Sequence, residues 1–274
     1  MTTSVDSAGF DRFAEIAIAH VGDDKVPGLV AAVSVVDSVH VEVLGRLSVA
    51  GPPVRRDSLF RIASTTKPMI GAVTMILVEG GLLTLDEPVD RLLPELANRR
   101  VLRRLDGPLD DTVPAHRPIT VRDLLTFTFG FGMVMEMFTA AEPWPVVAAA
   151  TEARLATIGP PQPDVPPDPD TWIAAFGRLP LLAQPGEQWL YNTGAHVLSV
   201  LLARAAGMPL PEVLRTRLFE PLGMTDTGFW TAETDRLATT YAATPDGLTV
   251  WDAPDGEYSY IRLEVISVEY NVRR

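Results

Sequence analysis

A serine and a lysine stand three residues apart in the segment FRIASTTKPM, residues 60–69. The chain has 23 basic residues, of which only Lys25 and Lys67 are lysines. On a helix, Ser64 and Lys67 would share a face, because positions i and i+3 are neighbours there. A lysine in a partly apolar pocket can lose its proton near neutral pH, whereas an arginine cannot. The pair therefore predicts a serine nucleophile with a basic partner that activates its hydroxyl.

The same two residues also have a plain structural interpretation. A serine at the start of a helix is often only an N-cap, and the spacing S-x-x-K arises by chance in many chains. In the catalytic interpretation, the start of the helix favours negative charge on the serine oxygen, because free N–H groups and the positive end of the helix dipole lie there. The rest of the chain must decide between the two.

The elements that position this pair follow from the hydrophobic pattern. It predicts an amphipathic helix over 8–20 and two β-branched runs, 28–37 and 39–48, that form an antiparallel hairpin. The proline-rich segment 159–170 predicts an extended surface loop, and residues 261–274 predict one strand. Further helices are predicted over 64–79, 84–96, 119–128, 193–207 and 209–219.

Composition argues against several classes of protein and site. The chain has no cysteine, and no two of its four histidines stand at metal-ligand spacing, so we expect no metal and no other cofactor. A formal charge of −12 argues against nucleic acid as a partner. The first residues lack the pattern of a signal peptide, and no apolar run approaches about 18 residues. We therefore expect no membrane span and predict a cytoplasmic location.

Three long blocks resemble, in the same order, segments of the serine β-lactamase-fold hydrolases. Residues 58–96, which contain ASTTK, are similar to the active-site helix region of that family. Residues 119–132, ITVRDLLTFTFGFG, resemble its next signature, with Phe127 and Phe129 in place of a histidine and a serine. Residues 185–230, which contain YNTG, resemble its tyrosine motif and the following helix. The branch that looks closest contains class C β-lactamases, D-alanyl-D-alanine carboxypeptidases and carboxylesterases of the same fold.

The resemblance implies an α+β fold of the β-lactamase and penicillin-binding-protein kind. In it, an antiparallel sheet is flanked by helices, and a mostly helical second lobe, about 85–180, is inserted. One hydrolase domain is expected over 1–256, followed by an atypical tail over 257–274.

The resemblance also assigns catalytic roles. Ser64 is implied to be the acylated nucleophile, Lys67 its proton partner and Tyr191 the general base. A phenol has a pKa near 10, so Tyr191 can act as a base near neutral pH only if nearby positive charge stabilises its phenolate. Lys67 is the candidate for that charge. His196, five residues further on, is expected to be a packed or surface histidine.

Two further residues are implied to contact the substrate, a small-molecule ester or amide. Thr193 stands where the class C pattern Tyr-x-Asn has its asparagine, and a hydroxyl cannot replace an amide that both donates and accepts. Because an ester does not need that amide contact, the change favours a carboxylesterase. Phe131 lies in a stretch rich in Met and Phe, 129–138, that is predicted either to line the acyl side of the cleft or to belong to the core.

The family's third motif, which lies on a strand that helps to form the oxyanion hole, has no counterpart here. No lysine follows Lys67, and His196 is the last histidine. We therefore expect a C-terminally truncated or altered form of a longer hydrolase, whose C-terminal strands are missing. Loss of one oxyanion donor typically costs on the order of 10²–10³ in rate. The alternatives are a β-lactamase or D-alanyl-D-alanine carboxypeptidase and, in another class, an inactive scaffold or a non-catalytic binding protein.

Overall fold

The computed structural model describes residues 7–35, 38–157 and 166–256. These residues form two compact units, one from 7–62 and 224–256 and the other from 63–223, with the same gaps. The α-helices are α1 (Ser7–Ala19), α2 (Lys67–Glu79), α3 (Val121–Leu125), α4 (Glu136–Thr139), α5 (Pro145–Glu152), α6 (Pro169–Phe176), α7 (Thr193–Ala206) and α8 (Leu210–Leu214). The strands are β1 (Gly28–Val35), β2 (Ser38–Gly45), β3 (Arg100–Leu102), β4 (Thr112–Pro114), β5 (Thr240–Thr244) and β6 (Gly247–Asp252).

The first unit contains α1 and two antiparallel hairpins. Strands β1 and β2 pair from Gly28 opposite Gly45 to Val35 opposite Ser38, which confirms the hairpin predicted there. Strands β5 and β6 form a second hairpin that the sequence analysis missed. Its signal was present, because the turn residues Pro-Asp-Gly separate two short runs that are rich in Thr, Val and aromatic residues.

The second unit is built around α7, which packs against α2, α3, α6 and α8. Nearly every residue of its first three turns is buried, as expected for a helix that is apolar on most of its circumference. Gly207 ends the helix in the left-handed conformation, at φ 65°, so the predicted end is confirmed. Strands β3 and β4 form a short antiparallel pair in this unit.

Several predicted elements differ from the structure for local reasons. The helix expected over 84–96 is replaced by two 3₁₀ turns, Val89–Arg91 and Pro94–Leu96. Pro94 explains the break, because it has no N–H to donate to a continuing helix. The helix expected over 209–219 is α8 followed by a π-turn, Arg215–Phe219.

The proline-rich segment is also corrected at its end. Its last residues begin α6, because Asp168 caps the helix and Pro169 fits the first helical position. The strand expected over 261–274 and the tail expected over 257–274 lie outside the described residues. Within the described ranges, no single helix is long and apolar enough to span a membrane, although α7 and the segment Leu210–Phe219, bent by 76°, pass that test as a pair.

Candidate active site

Ser64 and Lys67 meet at the start of α2, inside the second unit. Residues Ala63–Thr66 form a 3₁₀ turn, and Lys67 is the first residue of the α-helix. In a 3₁₀ turn, side chains at i and i+3 eclipse one another, which brings the two residues closer than an α-helix would. Lys67 Nζ donates a hydrogen bond of 2.9 Å to Ser64 Oγ. Ser64 is exposed, so its hydroxyl is open to a substrate.

The backbone immediately before Ser64 is strained. Ala63 has a φ of 40°, in a backbone region that residues other than Gly, Asn and Asp rarely adopt. Thr66, the N-cap of α2, makes no side-chain capping bond, and its hydroxyl donates to Ala63 O instead, at 2.8 Å. The start of α2 therefore holds Ser64 on a strained turn without a side-chain cap.

Tyr191 is held on a second strained turn, at the start of α7. Asn192 has φ 79° and ψ −65°, and Thr193 N donates to Tyr191 O at 3.2 Å, which together make a rare type of γ-turn. On the other side, Tyr191 pairs with Met133 through backbone hydrogen bonds of 2.8 and 3.2 Å. A Cβ at Gly132 would lie 2.4 Å from Tyr191 O, so only glycine allows this approach. The position of Tyr191 is therefore fixed from both sides.

The three side chains shift one another's protonation. A hydrogen bond with Ser64 is the largest cause of the lowered pKa of Tyr191, and the charge of Lys67 lowers it further, against the effect of burial. Burial lowers the pKa of Lys67, although the neighbouring Tyr191 works in the opposite direction. Lys67 Nζ also lies 5.0 Å from the centroid of the Tyr191 ring. Because both pKa values are lowered, Tyr191 and Lys67 lose their protons at a lower pH than a free phenol or a free amine would.

Two aromatic rings enclose the ring of Tyr191. Trp189 stacks on it with ring centroids 5.7 Å apart at 28°, and Phe127 lies 6.0 Å away on a tilted plane. Trp189 is also 59% exposed. The sequence analysis missed this residue. Its signal was the spacing in WLY, because residues i and i+2 of an extended segment point to the same side.

Comparisons with known proteins show the family of this chain. A sequence profile for the family described as Beta-lactamase matches residues 13–262. The chain belongs to this family. Esterase EstB of Burkholderia gladioli is 34% identical over 219 residues, which are 78% of this chain and 50% of EstB. Protein Rv1367c of Mycobacterium tuberculosis is 41% identical over 192 residues, 70% of this chain and 44% of that protein. The chain thus spans about half the length of these two curated relatives.

Solved structures confirm the predicted β-lactamase and penicillin-binding-protein fold. EstCE1, a hydrolase with promiscuous acyltransferase activity, is 25% identical with a TM-score of 0.68, covering 89% of this chain and 58% of EstCE1. The unliganded selenomethionyl form of simvastatin synthase (LovD) from Aspergillus terreus is 24% identical with a TM-score of 0.71. The match covers 98% of this chain and 66% of the LovD chain.

Two residues that were predicted to bind the substrate lie in the core instead, Thr193 from the family's tyrosine motif and Phe131 from the stretch rich in Met and Phe. Phe131 is 0% exposed and packs edge-to-face on Phe176, with ring centroids 5.0 Å apart. Thr193 is also 0% exposed, and its hydroxyl has no hydrogen-bond partner among the residues described. Neither side chain reaches a surface that a ligand could touch, which corrects both assignments. For the stretch 129–138, the core interpretation therefore holds at Phe131.

His196 is packed rather than catalytic in this β-lactamase-family chain, as the sequence indicated. Its ring lies edge-on to Trp172 at 6.1 Å, and its Nδ1 is buried without a partner in the described ranges. Burial, with the charge of Lys67, lowers the pKa of His196 to about 3. Burial therefore favours the neutral form of this ring.

A cavity of about 550 Å³ lies in the same unit, away from these residues. Its polar lining includes Arg103, His116, Gln184 and Gln188, and none of the three candidate catalytic residues lines it. Over the described ranges, no group of three or more His, Asp or Glu side chains could hold a metal ion. The candidate active site is therefore the exposed surface around Ser64.

Proposed function

We propose that this chain is a serine hydrolase that forms an acyl-enzyme at Ser64 and acts on carboxylic esters. One observation carries the proposal: an exposed serine hydroxyl lies 2.9 Å from Lys67 Nζ. Interactions with both residues lower the pKa of Tyr191, and Lys67 Nζ lies 5.0 Å from the centroid of its ring. A serine needs a partner that takes its proton, and here two groups with lowered pKa values surround it.

In the proposed mechanism, Ser64 Oγ attacks the ester carbonyl carbon while its proton passes to Tyr191. The charge of Lys67 stabilises the phenolate that accepts this proton. The C–O bond to the alcohol then breaks, and the alcohol oxygen takes the proton back from Tyr191. Water repeats the same steps to release the acid and restore Ser64. The backbone N–H of Ser64 is one donor to the developing oxyanion.

An ester is a better match than an amide or a β-lactam. The side-chain amide nearest Tyr191 in sequence, that of Asn192, donates to Thr157 O at 3.2 Å and is therefore engaged. Thr193 adds no amide and is buried. The name of EstB, an esterase 34% identical to this chain, supports the same substrate class.

The test is intact mass measured after incubation of the purified chain with p-nitrophenyl butyrate. We expect a burst of nitrophenol and a butyryl adduct, both lost in Ser64→Ala. Thr65→Ala is the matched control, because Thr65 is the exposed hydroxyl next to Ser64 and should keep both signals. Turnover of nitrocefin with no ester adduct would favour a β-lactamase. A folded chain that forms no adduct with either reagent would favour a non-catalytic protein.

A further inference from the structure

An exposed tryptophan lies beside the proposed general base without a role in the mechanism above. The structure assigns to Trp189 the binding of the alcohol group of the ester, with a preference for planar apolar alcohols. This inference rests on the proposed function and adds to it the chemical class of the leaving group. It begins from the fact that Trp189 stacks on Tyr191 and is still 59% exposed.

The segment that carries Trp189 is fixed by backbone hydrogen bonds on both sides of it. Leu190 N donates to Phe127 O at 2.8 Å, and Gly186 N donates to Thr128 O at 2.7 Å. The indole ring is also held edge-on to Phe127, with centroids 6.3 Å apart at 85°. A ring held by both backbone and neighbours loses little freedom when a ligand binds, which favours binding.

The chemistry of the proposed reaction places the alcohol beside this ring. When the tetrahedral intermediate collapses, the carbonyl re-forms and the bond to the alcohol oxygen breaks. That oxygen takes its proton from the hydroxyl of Tyr191, so it must lie within hydrogen-bond distance of that hydroxyl. The carbon group of the alcohol therefore extends from the reaction centre along the ring of Tyr191, and Trp189 stacks on a face of that ring. Nothing in this step requires the acyl group to lie near Tyr191.

The surroundings favour an apolar, uncharged alcohol. The segment that pairs with Tyr191 at Met133 continues into Met135 and Phe138, which are 74% and 55% exposed. Exposed large apolar side chains in the segment that pairs with Tyr191 favour contact with an apolar group over a charged one. A planar group such as benzyl can stack on indole in the offset geometry that aromatic rings prefer.

The test compares esters that share one acyl group. Ethyl acetate and benzyl acetate form the same acetyl-enzyme, so a difference in kcat/KM between them reports the alcohol alone. We expect Trp189→Ala to lower kcat/KM for benzyl acetate about 10-fold and to change that for ethyl acetate less than about 2-fold. Trp189→Phe should restore most of the loss. Trp251→Ala, which removes a tryptophan that is 43% exposed in the other unit, should change neither value.

Two results would overturn the inference. An equal loss for both acetates, with a shifted pH profile, would show that Trp189 only supports Tyr191. A change in the preference among benzyl acetate, propionate and butyrate would place Trp189 on the acyl side.

A binding measurement separates failure of this inference from failure of the proposed function. If the chain hydrolyses no ester, benzyl alcohol binding to Ser64→Ala can still be followed by ligand-observed NMR. Binding that is lost when Trp189→Ala is added, and kept when Trp251→Ala is added, would support the site even then. Binding that is the same in both double variants would overturn it.

Discussion

Two kinds of helix start occur in the second unit, and they are built in opposite ways. At α3, the Thr120 hydroxyl accepts from Asp123 N, and Asp123 accepts in return from Thr120 N. Arg117 adds two hydrogen bonds to the same carboxylate, at 2.6 and 2.9 Å. Every polar group of this capping box is paired, although Asp123 is only 5% exposed.

The starts of α2 and α7, which carry the candidate catalytic residues, lack such caps. Neither N-cap residue, Thr66 or Asn192, makes a side-chain capping bond. Each start also contains a non-glycine residue at positive φ, Ala63 at 40° and Asn192 at 79°. Backbone strain of this kind costs on the order of 1–3 kcal/mol for each residue, and it persists where the surrounding structure enforces it.

Under the proposed function, the difference separates stability from activity within one unit. The α3 start stabilises the fold, whereas the α2 and α7 starts hold Ser64, Lys67 and Tyr191 next to strained backbone. Changes at α3 should therefore reduce stability and spare activity. Changes of Ser64, Lys67 or Tyr191 at the other two starts should reduce activity and spare stability.

The largest expected effect is on activity, from Lys67→Arg. Arginine keeps the positive charge, but its planar group cannot place that charge where Nζ lies, beside Ser64 Oγ and the Tyr191 ring. We expect kcat/KM for p-nitrophenyl butyrate to fall by about 10³-fold or more, with the free energy of unfolding little changed.

A pH profile adds a second readout for the same residue. In the proposed mechanism acylation needs Tyr191 deprotonated, and the hydrogen bond with Ser64 and the charge of Lys67 lower its pKa. The wild-type rate should therefore rise with pH around a midpoint below about 10. Lys67→Arg with a normal rate and an unchanged midpoint would remove Lys67 from the mechanism.

The next effect is on stability, from Asp123→Ala. Hydrogen bonds from Arg117 and Thr120 lower the pKa of Asp123 although its burial acts in the opposite direction. Removal of a buried carboxylate that also caps α3 should cost about 3 kcal/mol in urea unfolding. Asp86→Ala is the matched control, because Asp86 forms a similar pair with Arg122 but is exposed. It should cost less than about 1 kcal/mol.

The stability loss in Asp123→Ala should depend on pH, and the activity of the variant provides a control. A carboxylate with a lowered folded pKa stabilises the protein above its unfolded pKa of about 3.9 and loses that effect as the pH falls. The difference between wild type and Asp123→Ala should therefore shrink in acid. The activity of the folded fraction should stay near that of wild type, and a large loss there would break the contrast between the helix starts.

How much of this contrast could be predicted depends on the range of the interactions. The spacing of Ser64 and Lys67 is local, so four residues of sequence were enough to place the pair together, although only the resemblance favoured catalysis over an N-cap. The β5–β6 hairpin was missed although its turn residues are also local. Tyr191 was found only through resemblance, because its approach to Ser64 joins segments far apart in the chain.

The errors at the site come from interactions that no local pattern shows. Phe131 and Thr193 follow the family's order of motifs, but their burial depends on packing against residues such as Phe176 in other segments. The positive φ of Ala63 and Asn192 is likewise imposed by the fold, since neither is a glycine. The spacing of Trp189 and Tyr191 in WLY could have indicated Trp189, but none of the family motifs named above includes this tryptophan.

His196 allows a smaller test of the α7 start. Its folded pKa of about 3 lies below an unfolded value of about 6.5, so between these values the unfolded state binds the proton more readily. Stability should therefore fall as the pH drops below about 6.5, by up to about 1.4 kcal/mol per pH unit from this residue. His196→Leu should remove that part of the slope in urea unfolding.

The smallest expected effect is a gain in stability from Thr193→Val. The Thr193 hydroxyl is buried without a partner among the described residues, so valine removes an unpaired polar group and keeps the shape. We expect urea unfolding to show a gain of about 1 kcal/mol, and kcat/KM to stay within about 2-fold of wild type. Thr74→Val is the control, because Thr74 is equally buried and its hydroxyl donates to Ile70 O at 2.8 Å. It should show no gain. A 10-fold loss of activity in Thr193→Val would instead return this hydroxyl to the substrate site, and the α7 start would then carry two functional side chains.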